Sequence, residues 1–109
     1  MIDPGQFRSL VIRPTLQALD LSSLAAERLL LGTALVESGL RRLKQVQGPA
    51  LGLFQMEPAT HDDLWHSYLF RKQELALLVA GLVGALGPPP PDHLVWDLRY
   101  ATAMARLVY

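Results

Sequence analysis

Apolar residues recur along most of this chain at the three-to-four-residue spacing of helix faces, and Gly and Pro cut the pattern into segments. Asp3 followed by Pro4 reads as a helix start, a capping acid before a proline that needs no N–H partner. Phe7, Leu10 and Val11 form its apolar stripe. Pro14 removes an amide donor and disfavours helix at Arg13, so a kink or break is expected there, then a helical turn to about Leu19. Asp20, Ser22 and Ser23 offer caps for a second helix, from Ser23 to Ser38, with Gly39 as its stop. This helix is apolar nearly all round from Leu29 to Val36, which predicts burial on most sides. Glu37 falls on its stripe of Ala26, Leu30 and Thr33.

Residues 40 to 55 have no clean period, and Gly48-Pro49 and Gly52 punctuate them. A short hairpin or a loop is expected. The third helix should begin near Pro58 or Thr60, with Thr60-His61-Asp62-Asp63 as a capping box and Leu64, Trp65, Tyr68 and Leu69 on its apolar side. Lys72 to Leu86 reads as a fourth, buried helix in which Gly81 and Gly84 admit a close neighbour. Gly87 and the prolines to Pro91 make a stiff connector. Asp92 then caps a fifth helix reaching the C-terminus. Its two apolar stripes contain Leu94, Leu98, Ala101, Ala105 and Val108, and Trp96, Tyr100, Ala103 and Leu107. One stripe can face the core; the other predicts a groove or a partner, such as a second copy of the chain. The fold class is all-α, a compact bundle of about five helices in a single domain spanning residues 1–109.

Composition narrows the function. The chain has 50% hydrophobic and 18% charged residues, with ten basic residues against ten acidic ones. That balance gives no reason to expect nucleic acid, which needs a basic excess or patch. Arg41, Arg42 and Lys44 form a small cluster, read as a solvated loop before an anionic-polymer contact. There is no cysteine, so neither a disulfide nor a thiolate metal site can form. The uncharged run Leu75–Leu86 falls short of the about 20 residues of a membrane span. No basic-then-apolar leader opens the chain, so an extracytoplasmic substrate would require another delivery route.

The chemistry converges on Glu37. An apolar setting and the negative end of a helix both favour the protonated form of a carboxyl, which is what a general acid requires. The plain alternative is a surface glutamate paired with Arg41. His61, Asp62 and His66 invite a metal reading, but their spacing is not that of His-Glu-x-x-His, and Asp62 with His66 is better read as a surface pair. No metal or cofactor is expected. Trp65, Tyr68 and Trp96 are candidate sugar-stacking aromatics, or simply core.

Glu37-Ser38, followed by Gly52-Leu53-Phe54-Gln55-Met56-Glu57-Pro58-Ala59-Thr60, resembles the soluble lytic transglycosylases and goose-type lysozymes of the lysozyme superfamily. It is most similar to their small phage-encoded members. Those proteins have a Glu-Ser pair closing a helix, then a Gly-Leu-x-Gln-x-x-Pro-x-Thr turn leading into the next one. The resemblance spans about Leu29 to Asp63 and implies a lysozyme-like fold and a peptidoglycan glycan strand as partner. It implies that Glu37 is the acid/base at the bond between N-acetylmuramic acid and N-acetylglucosamine. Ser38 would support the acid, and Gln55 would bind sugar. Glu57 departs from the transglycosylase pattern, where this position is apolar; it is either a second carboxylate for hydrolysis or a helix-start acid. The Ala-Tyr-Asn motif that a later helix brings in those enzymes is not found; Tyr100-Ala101-Thr102 sits in a helix that looks like the preceding one. The alternative function is therefore a non-catalytic, lysozyme-like structural or self-associating module. The helical pattern running to Tyr109 reads as a shortened C-terminus or a cleft completed by another copy.

Overall fold

The first helix starts where Asp3 and Pro4 predict. The Asp3 carboxylate accepts from the Gln6 amide at 2.8 Å, satisfying one of the helix's orphan donors. The structure, a computed structural model, describes residues 1–109. Here α1 (Pro4–Phe7), a π-helical stretch (Arg8–Ile12) and α2 (Arg13–Ala18) follow one another without interruption. The expected break at Pro14 does not occur. The Arg13 N–H bonds to the Arg8 carbonyl five residues back, and Arg13 keeps helical angles (φ −59°, ψ −51°). Widening the turn relieves the collision that the proline ring would have with the carbonyl four residues before it.

Ser23 caps α3 (Leu24–Glu37), its hydroxyl accepting from the Ala26 amide at 3.0 Å. The helix ends as Ser38 and Gly39 both return their N–H groups to the Ala34 carbonyl, at 3.0 and 3.1 Å. Gly39 then turns the chain away at φ +64°, a conformation glycine adopts without steric cost. Only one face of α3 is buried, through Ala26, Glu27, Leu30 and Ala34. It packs on the π-helical stretch and on the last helix. Leu29 and Val36 are 49% and 82% exposed, so the expected all-round burial is incorrect: α3 lies on the surface.

Between residues 40 and 56 no strand forms. Two isolated antiparallel bridges, Lys44 with Leu51 and Leu51 with Met56, give a rudimentary hairpin. Then α4 (Pro58–Asp63) begins at Pro58, so Thr60 lies inside the helix and no capping box forms. A π-helical stretch (Leu64–Tyr68) and a 3₁₀ turn (Leu69–Arg71) lead to α5 (Gln73–Gly81). This helix is shorter and more exposed than expected. Val79 and Ala80 are buried, while Leu77 and Leu78 face outward and Leu86 beyond it is 92% exposed. A Cβ at Gly81 or Gly84 would meet nothing within 4 Å, so neither admits a close neighbour; Gly84 instead turns the chain at φ +72°. No helix is long and apolar enough to cross a membrane.

The expected fifth helix is two, α6 (His93–Trp96) and α7 (Leu98–Val108). Asp97 adopts extended angles (φ −108°, ψ 104°) and its carboxylate accepts from the Tyr100 amide at 2.9 Å. Asp97, not Asp92, is the cap. α7 runs through the core against α2, α3, α5 and the first π-helical stretch, and every residue from Tyr100 to Ala105 is buried. Both its stripes are thus covered by its own chain from Tyr100 to Ala105, while Trp96 and Val108 at their ends stay exposed. Around it lie Phe7, Ile12, Leu16, Leu30 and Leu53, each large apolar side chain contributing about 1.5–3 kcal/mol on burial. The fold is all-α.

Candidate functional site

The glycine-led turn is fixed by its backbone. Gly52 has φ +80°, and a Cβ there would collide with the Leu94 carbonyl. Leu51 and Met56 exchange N–H···O bonds at 2.8 and 3.0 Å, and the Gly52 N–H reaches the Leu43 carbonyl at 2.7 Å. Inside this loop Gln55 takes φ +51°, and its side-chain amide donates to the Gly52 carbonyl at 2.9 Å. Gln55 therefore ties down backbone with its nitrogen, leaving its carbonyl oxygen as an acceptor.

Glu37, Gln55 and Glu57 line one cleft of about 480 Å³, within the size range of small-ligand sites. Phe54 and Met56 contribute apolar walls; Gln45, Thr60 and Tyr109 complete its polar side. Sequence reasoning did not single out Gln45 or Tyr109. Gln45 falls in the unpatterned stretch between the two halves of the motif and Tyr109 lies far along the chain from it, so no local pattern marks either. Glu37 is exposed, so the apolar helix does not enclose it as expected, and no ion pair with Arg41 forms. Glu57 occupies the N-cap position of α4 but makes no side-chain capping bond. Glu57 lines the same cleft as Glu37.

Ser38 does not line this cleft; it is an internal tie. It is buried, and its hydroxyl reaches the Leu53 carbonyl at 2.6 Å and the Ala34 carbonyl at 3.1 Å while accepting from the Leu40 amide at 3.2 Å. It fastens the end of α3 to the glycine-led turn. Trp65, Tyr68 and Trp96 do not line the cleft either. Trp65 is buried, whereas Trp96 is 64% exposed on α6.

The expected Asp62–His66 pair is replaced by a relay that runs from the exposed Asp62 through buried His61 to Tyr100 and Trp65. His61 Nδ1 lies 2.9 Å from Asp62 Oδ1, His61 Nε2 lies 2.6 Å from the Tyr100 hydroxyl, and Trp65 Nε1 donates to that hydroxyl at 2.8 Å. One arrangement satisfies every group. Trp65 can only donate, so the Tyr100 proton goes to Nε2 and the Nδ1–H goes to the carboxylate. Burial pushes the Tyr100 phenol well above its usual value, offset in part by the Trp65 hydrogen bond and reinforced by the Asp62 charge. This relay lies outside the cleft and holds α4 and the following stretch to α7.

A second polar cluster also escaped sequence reasoning. Glu27 is buried on α3 with its carboxylate bound by Arg8 Nε at 3.0 Å and by Arg13 through Nη2 at 3.0 Å. The Arg13 hydrogen bond, then the Arg8 one, hold the Glu27 carboxyl below the usual carboxylate range against the opposing effect of burial. Comparison with protein-family models, with curated proteins and with solved structures finds no match to this chain.

Proposed function

We propose that this chain cleaves the β-1,4 bond between N-acetylmuramic acid and N-acetylglucosamine in peptidoglycan, with Glu37 as general acid/base. The observation that carries the reading is the convergence of Glu37, Gln55 and Glu57 on one cleft, although residues 38 to 54 separate the acid from the other two in sequence. Glu37 protonates the glycosidic oxygen as the bond to the anomeric carbon breaks. In a transglycosylase the sugar's own 6-hydroxyl then attacks that carbon and returns its proton to Glu37, giving a 1,6-anhydro end. In a hydrolase water attacks instead, with Glu57 as the second carboxylate.

Mass spectrometry of digested peptidoglycan tests this. Anhydro ends identify the transglycosylase, reducing ends the hydrolase, and undigested walls overturn both. One observation favours a second reading, a non-catalytic lysozyme-like module that self-associates: no hydrogen bond or ion pair orients the Glu37 side chain. An oligomer at micromolar concentration together with undigested walls would establish it.

A further inference from the structure

Glu37 and Tyr109 line not one groove but two. Besides the cleft over the glycine-led turn, they border a groove of about 390 Å³ that runs along α3 past Arg28, Leu29, Gly32, Thr33 and Val36. Sharing these residues makes the grooves neighbours, so Glu37 borders two adjoining grooves rather than a single pocket. A site for a single sugar would need only one of them. Two adjoining grooves that share the acid suit a polymer cut internally.

Gly32 gives the second groove its character. It sits in the middle of α3, where glycine weakens a helix relative to alanine. Nothing lies within 4 Å of the position a Cβ would take. The missing side chain therefore serves no packing partner within the chain, and it leaves helix backbone bare on the groove floor. Leu29 and Val36, both exposed, flank that floor with apolar surface, and the Thr33 hydroxyl is already returned to the Leu29 carbonyl at 2.7 Å. Arg28 borders the same groove without an ion pair or hydrogen bond to hold it.

We infer that the α3 groove holds the continuation of the glycan strand beyond the cleaved bond. A sugar ring lies against the bare backbone at Gly32, and Arg28 pairs with a carboxylate carried by the strand. The inference rests on the glycosidase reading and adds to it a direction for the strand and two specificity residues outside the motif.

The test uses the full chain and peptidoglycan glycan fragments of increasing length, with binding followed by calorimetry and cleavage by mass spectrometry. Gly32→Ala should raise Tm by about 4–8 °C, because alanine strengthens the helix. It should also weaken binding of long fragments about tenfold while leaving the shortest unchanged. Gly81→Ala on α5, away from both grooves, should leave binding untouched. Arg28→Gln should weaken fragments with free carboxylates about two- to fivefold and leave amidated fragments unaffected. If wild type binds and cuts fragments but Gly32→Ala matches it at every length, the α3 groove is not occupied and this inference fails alone. If no fragment of any length binds or is cut, the glycosidase reading fails and the occupant of the groove with it.

Discussion

The Ser38 hydroxyl and the Leu53 carbonyl meet at 2.6 Å in a buried position, and this contact joins the helix bearing Glu37 to the turn bearing Gln55. A hydroxyl has one proton, so the shorter bond to Leu53 takes it and the Ala34 carbonyl at 3.1 Å is the weaker branch. Ser38→Ala leaves the Leu53 carbonyl and the Leu40 amide without this partner. Each buried orphan costs about 1–3 kcal/mol. Thermal denaturation should show Tm lowered by about 8–25 °C. In a wall-digestion assay below that temperature, kcat should fall while KM changes little, because the acid shifts and the sugar contacts stay.

Glu37→Gln should be silent for stability and severe for activity. The side chain is exposed and unpaired, so denaturant midpoints should stay within about 0.5 kcal/mol of wild type. Loss of the proton donor should cost about 10²–10⁴ in cleavage rate. Turbidity clearing at the wild-type rate would remove Glu37 from the chemistry. Glu57→Gln separates the two reactions: it should depress formation of reducing ends and leave anhydro ends unchanged.

Gly52→Ala combines two penalties, a φ of +80° and a Cβ driven into the Leu94 carbonyl. Backbone cannot move aside as a flexible side chain would. A loss of more than about 2 kcal/mol is expected, measured by urea unfolding, with Gln55 displaced and residual cleavage reduced in proportion.

What was legible in sequence is the chemistry that acts over one turn. Asp3-Pro4, Ser23 and Gly39 mark helix ends because a cap needs only its own neighbours. The sequence singles out Glu37, Gln55 and Glu57, and the fold brings these three to one cleft. Whatever depended on packing was not legible. Leu29 and Val36 look like core by composition, yet α3 meets the protein on one side only. Asp97 interrupts the last helix, its extended backbone and carboxylate capping α7 where that helix enters the core. Glu27 left a trace that was overlooked: it stands three and seven residues before Leu30 and Ala34 on the buried stripe, where a charge requires a partner. Its partners, Arg8 and Arg13, come from another helical segment.

Tyr100→Phe keeps the ring and removes the oxygen that joins His61 to Trp65. Two buried ring nitrogens then lose their partner, a loss of about 2–4 kcal/mol. The raised phenol also sets an alkaline limit. Unfolded tyrosine releases its proton near about pH 10, while folded Tyr100 retains it, so the unfolded state binds fewer protons above that pH and stability falls. Ultraviolet titration should show Tyr100 ionising only as the fold is lost.

Glu27 sets the acid limit, with the opposite sign. Its carboxyl is held below the ordinary range by Arg13 and Arg8. The folded state therefore stays deprotonated at pH values where the unfolded chain has taken up a proton. The stabilisation is complete above the unfolded value of about 4.3 and is lost as pH falls through the lower folded one. Urea midpoints measured from neutral pH downward should be flat, then drop steeply below about pH 4.5. Glu27→Gln keeps the shape but not the charge. It should be less stable than wild type at neutral pH, and the gap should close as the acid drop of the wild type proceeds. A gap that stayed constant down to pH 2 would mean that the two arginines stabilise the fold through their packing against α3 and not through the carboxylate.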